Sequence, residues 1–147
     1  EMDHYVELHM MKRKNNSTIF GNQILYDERD CMVGEEENLL ILASDIGIGQ
    51  VDDLVKSFHG IMIPAHIDRT SNGLLSNLGF IPEDATFHTV EVRDLTRKEE
   101  LMEQHRYLRT CKWITDSDAH QLEAIHEAKH FLHVNEYSRE AVLAALV

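Results

Sequence analysis

Apolar and polar positions switch between two periods along this chain. Val51, Leu54, Val55 and Phe58 recur at helical spacing, so residues 50–58 are expected to form a helix with one buried stripe, closed by Gly60. Short apolar runs without that period read as strands at 23–27, 61–64, 87–92, 112–115 and 131–134. Between them the pattern predicts helices at 2–13, 71–78, 96–108, 121–129 and 138–146. Thr96 with Glu99 reads as a capping box, Ser138 suits an N-cap, and Gly79 stands where a left-handed C-cap is expected. Glu35, Glu36 and Glu37 ahead of Leu39-Leu40-Ile41-Leu42 read as the acidic first turn of a further helix, and residues 27–30 as a turn. Strands alternating with helices of about ten residues imply βα units in an α/β fold with a largely parallel sheet. No repeat or linker divides the chain, so residues 1–147 read as a single domain.

Charge and cysteine content narrow the class. The formal net charge of −12 argues against a nucleic-acid backbone as partner, and the one basic run, Lys12-Arg13-Lys14, suits a solvated helix end. No apolar segment approaches ~20 residues and nothing resembles a signal peptide, so no membrane role is expected. Cys31 and Cys111 lack CxxC spacing and read as reduced thiols of a cytoplasmic protein. Ten histidines bring metal chemistry into consideration.

Two loops carry the candidate chemistry. Pro64-Ala65-His66-Ile67-Asp68-Arg69 follows the run Ile61-Met62-Ile63, and Ser117-Asp118-Ala119-His120 follows Trp113-Ile114-Thr115. Imidazole and carboxylate groups just past the C-terminal ends of strands sit where α/β folds build their sites. Mixed imidazole and carboxylate shells suit zinc, manganese or iron. Their plain alternative is loops whose Asp and His side chains cap helices and bond backbone. Arg69 offers a planar fork for phosphate, or a salt bridge to Asp68 or another loop carboxylate. Glu91, at the end of the strand 87–92, faces the same rim or serves Arg93 or Lys112. A separate HExxH, His126-Glu127-Ala128-Lys129-His130, would suit a zinc metalloprotease if it lay on a helix.

Phe20-Gly21-Asn22-Gln23, the Pro64 to Arg69 run, Leu78-Gly79-Phe80-Ile81-Pro82 and Ser117-Asp118-Ala119-His120 together resemble the PHP (polymerase and histidinol phosphatase) family, specifically its stand-alone bacterial hydrolases. The resemblance implies the C-terminal part of a distorted (β/α)7 barrel of mostly parallel strands. It implies phosphoester hydrolysis by metal-bound hydroxide with up to three divalent ions (Zn, Mn or Fe) and a phosphorylated small molecule as substrate. His66 matches the family's third-motif metal histidine, and Asp118 and His120 its fourth-motif pair. The family's His-x-His and further ligands would precede Glu1, so the chain is expected to contribute part of a metal site and to be inactive alone. It would pair with the missing part or with another copy. The alternative of a different class is a truncated, non-catalytic PHP-like domain kept for binding or assembly.

Overall fold

A computed structural model describes all 147 residues. The chain divides into two compact units, Glu1–Gly47 and Ile48–Val147.

In the first unit, α1 (Met2–His9) is followed by a one-turn helix, α2 (Ser17–Phe20), whose N-cap Asn16 accepts from the Thr18 amide. Strands β1 (Ile24–Tyr26) and β2 (Met32–Glu35) form an antiparallel hairpin with a bulge between Leu25 and Tyr26. Its turn is set by Asp27, whose Oδ1 accepts from the amides of Arg29 and Cys31, both at 2.9 Å. The helix expected from the three glutamates does not form. Glu35 ends β2, and Glu36 folds its carboxylate onto the Asn38 amide at 2.8 Å. Side-chain capture of backbone here replaces the helical ladder.

The second unit opens with α3 (Ile48–Ser57), the helix expected from the Val51 stripe. Its end is a Schellman motif: the Gly60 amide donates to Val55 O and the His59 amide to Lys56 O, both at 2.9 Å. The left-handed position is therefore His59, with φ 59°, one residue before the expected glycine. His59→Gly should raise stability by about 1 kcal/mol by relieving that conformation. Chemical denaturation checks it, and an unchanged midpoint would contradict the assignment.

Next come α4 (Leu74–Leu78), capped by left-handed Gly79, and β3 (Thr89–Glu91). The expected single helix over 96–108 is broken into a 3-10 turn at Leu95–Arg97, α5 (Lys98–Gln104) and a second 3-10 segment at Arg106–Thr110. Asp94 supplies the cap in place of Thr96, taking the Thr96 amide at 2.9 Å and its hydroxyl at 2.6 Å. Strand β4 (Lys112–Ile114) pairs with β3 in parallel, Val90 opposite Trp113. A last helix, α6 (Arg139–Ala145), has Ser138 as its N-cap. Its end is anchored by the Thr89 hydroxyl, which donates to Leu146 O, and by the Lys112 ammonium on Ala145 O and Val147 O at 2.9 and 2.5 Å.

The core lies in this unit: Ile67, Phe87, Val90, Val92, Leu101 and Leu108 form one buried cluster, flanked by Met62, Leu75, Tyr107 and Trp113. Asp52 is the buried charge. Burial pushes its carboxyl up, but hydrogen bonds from Lys56 (2.6 Å) and Thr86, with the charges of Lys56 and His88, outweigh that and leave it below its ordinary value.

No barrel forms. The four short strands make two separate two-stranded sheets, one antiparallel and one parallel, so the expectation of part of a (β/α)7 barrel is overturned. Two of the strands it needed are missing. Residues 61–64 contribute only the Pro64 carbonyl to β3, since proline has no amide to donate, and His66 then turns away with φ 32°. Residues 131–134 form no strand, and Phe131 stays 74% exposed. The helix expected at 121–129 is reduced to a 3-10 turn, Leu122–Ala124. No helix is long and apolar enough to cross a membrane.

Candidate functional site

The site is built where the parallel pair ends. The Glu91 amide donates to Pro64 O and the Ile67 amide to Glu91 O, both at 3.0 Å, so the 64–67 segment runs along the free edge of β3. Buried Ile67 anchors that segment in the core, which carries His66 to the end of β3. A turn closed by the Arg69 amide on His66 O (3.0 Å) then presents Arg69. Gly73 makes that turn possible: a Cβ there would lie 2.7 Å from His66 O. Past β4, the Asp118 amide donates to Asp116 Oδ1 at 2.8 Å, and Asp118 takes φ 44°. Positive φ at His66 and at Asp118, neither a glycine, places backbone strain on both loops.

These loops meet through side chains. Arg69 Nη1 donates to Asp118 Oδ2 at 2.8 Å, and His120 Nε2 lies 3.6 Å from Asp118 Oδ1. Glu91 joins them from the end of β3. Burial pushes its carboxyl up, the neighbouring charges of Asp116 and Asp118 push it further, and His66 opposes them without prevailing. The Nδ1 atom of His66 is buried and has no hydrogen-bond partner.

The sequence-derived residues fall out unevenly. Of the three candidate ligands, His120 lies beside Asp118 and is largely exposed, while the charges of His66 and Asp118 both reach Glu91. Arg69 is tied to a loop carboxylate, Asp118 rather than Asp68. Asp68 is structural: its two oxygens accept from the amides of Arg93 and Asp94 at 2.9 and 3.0 Å. Of the two structural partners expected for Glu91, Arg93 or Lys112, Lys112 instead serves the end of α6. Asp116 was missed, because a single carboxylate in a loop carries no pattern. His126, Glu127 and His130 lie on no helix and are exposed, so they lack the common face a zinc protease needs. Cys31 and Cys111 are both free thiols.

The donor set fits a divalent cation in kind, imidazole and carboxylate, and the buried His66 Nδ1 has no partner. It falls short in number: no group of three or more His, Cys, Asp or Glu side chains is arranged to hold a metal ion. Compared with known proteins, the chain matches no family model, no curated protein and no solved structure.

Proposed function

We propose that this chain carries part of the site of a metal-dependent phosphoesterase acting on a small phosphorylated molecule. The observation behind the reading is Glu91 at the end of the parallel pair, where the charges of Asp116, His66 and Asp118 all reach its carboxyl, with the buried His66 Nδ1 unpartnered. The resemblance of the Pro64 to Arg69 and Ser117 to His120 runs to PHP hydrolases supports it. On the family's pattern His66, Asp118 and His120 would each give a donor to a different ion of a cation cluster (Zn, Mn or Fe), with Glu91 nearby. Remaining donors come from water, substrate or another polypeptide segment, because the side chains here are too few. When bound, such an ion lowers the pKa of water and neutralises phosphoryl oxygens. Arg69 supplies two parallel N–H groups for phosphate oxygens. The backbone turns at 66–69 and 116–118 fix these groups in place before any ligand arrives.

An assembly role has one observation in its favour: the first unit buries only Leu39 among its large apolar side chains, leaving Ile19, Val33 and Ile41 exposed. One titration separates the two readings. Mn2+ is added to the purified chain and free ion is followed by its electron paramagnetic resonance signal. The phosphoesterase reading expects binding that weakens at least about tenfold in His66→Ala and in Asp118→Asn. Binding unaffected by both substitutions would overturn it, and no binding at all would leave the assembly reading.

A further inference from the structure

A cavity of about 500 Å³ opens at the C-terminal end of β4 and takes only Asp116 from the rim described above. Its volume lies in the range of small-molecule sites. Apolar side chains from separate parts of the chain meet in it: Trp113 of β4, Leu95, Leu146 and Phe131. The indole is held by its own N–H, which donates to the carbonyl of buried Leu108 at 3.3 Å. The Lys98 ammonium stands 5.6 Å from the centre of that ring. Phe131 borders the same cavity yet is largely exposed, an aromatic ring that the protein itself does not cover.

The nitrogens on this wall are uncommitted. The side chains of Lys129, His130 and His133 line the cavity, are exposed, and take part in no hydrogen bond or ion pair. In a chain of net charge −12 they are faced there by one carboxylate, Asp116, whose Oδ1 already accepts the Asp118 amide. The surplus of donors selects an anion, and the aromatic lining selects a ring. We propose that this cavity binds a small aromatic anion, its ring packed on Trp113 and Phe131 and its acidic group on Lys129, with His130 and His133 as further donors. His130, the last member of the HExxH run, is then an anion donor and not a zinc ligand. An anion alone gains only an exposed ion pair with lysine, which is weak in water. A ring alone gains apolar contact and leaves the donors idle. Joined in one molecule, the second contact costs little further translational freedom, so affinity needs both.

The chain has one tryptophan, so its indole N–H gives a single nitrogen-15 correlation that reports on the cavity directly. The labelled full chain is titrated with naphthalene-2-sulfonate, with the neutral naphthalene-2-sulfonamide and with methanesulfonate. The naphthalene sulfonate should shift the Trp113 resonance saturably, and the sulfonamide should bind at least about fivefold more weakly. Methanesulfonate should leave the resonance in place. Lys129→Gln should weaken the naphthalene sulfonate about tenfold and leave the sulfonamide within about twofold, with Lys129→Arg restoring most of the affinity. Phe131→Ala should weaken both arenes about fivefold. Both side chains are exposed, and the remaining resonances show in each variant whether the fold is kept. A Trp113 resonance that does not move with the naphthalene sulfonate would overturn the proposal. Equal binding of sulfonate and sulfonamide, or a sulfonate affinity unchanged in Lys129→Gln, would overturn it too, by showing an apolar cleft without anion selection. The outcome is independent of the cation reading, because none of His66, Asp118 and His120 lines the cavity.

Discussion

Ile67→Ala is expected to cost the Ile48–Val147 unit about 3 kcal/mol, lowering its melting temperature by roughly 10 °C or more. Ile67 is fully buried among Phe87, Val90, Val92, Leu101 and Leu108, and that cluster is small, so the loss cannot be shared widely. Truncating the side chain removes its transfer free energy and leaves a cavity which residues on paired backbone cannot collapse into. The local consequence is larger than the global one. Ile67 sits between His66 and Asp68, and its amide is one of the two hydrogen bonds that lay this segment against β3. Loss of its anchor should loosen the His66–Arg69 turn before the unit melts, which hydrogen exchange at Arg69 would report. Ile125→Ala, at a side chain 60% exposed, should stay within about 0.5 kcal/mol of wild type. A loss below about 1 kcal/mol for Ile67→Ala would mean that the core is not packed around it.

Local features were legible in the sequence, and pairing was not. The helix at 50–58 declares itself through Val51, Leu54, Val55 and Phe58, and its observed bounds, Ile48–Ser57, differ by two residues or fewer. Gly79 and Ser138 cap as expected, since caps depend only on near neighbours. Strand identity depends on a partner elsewhere. Ile61-Met62-Ile63 and Phe131-Leu132-His133-Val134 are as apolar as the run around Val90, but Pro64 and the turn at His66 deny the first a ladder and nothing pairs with the second. Reading all such runs as strands is what suggested βα units in a largely parallel sheet. The same distinction divides the site. His66, Asp118 and His120 stand in short runs that signal themselves. That Asp68 clamps amides 25 and 26 residues later, or that Arg69 meets Asp118 across 49, is a product of folding which spacing does not reveal.

Glu91→Gln should act in opposite directions on stability and on function. In wild type, burial and the charges of Asp116 and Asp118 raise the Glu91 carboxyl above its ordinary range. The sign follows from linkage. With a folded value above the unfolded one, the native state holds more protons between the two, so stability falls as pH rises through that window. The penalty is complete above the folded value and vanishes below the unfolded one. Asp52 works the other way at lower pH: its depressed carboxyl adds stability above the unfolded value, which is lost as pH falls through the folded one. Replacing Glu91 with glutamine keeps the shape and removes the charge. Free of divalent ions at neutral pH, the variant should be more stable by about 1 kcal/mol, and the part of the pH dependence due to Glu91 should flatten. On the phosphoesterase proposal, Mn2+-dependent hydrolysis of a phosphomonoester, measured with whatever further polypeptide completes the site, should fall about 100-fold. Denaturation across pH in the presence and absence of Mn2+ decides it. If glutamine destabilises the ion-free chain, Glu91 is a structural carboxylate, and the rim it shares with His66 and Asp118 is not poised for a metal.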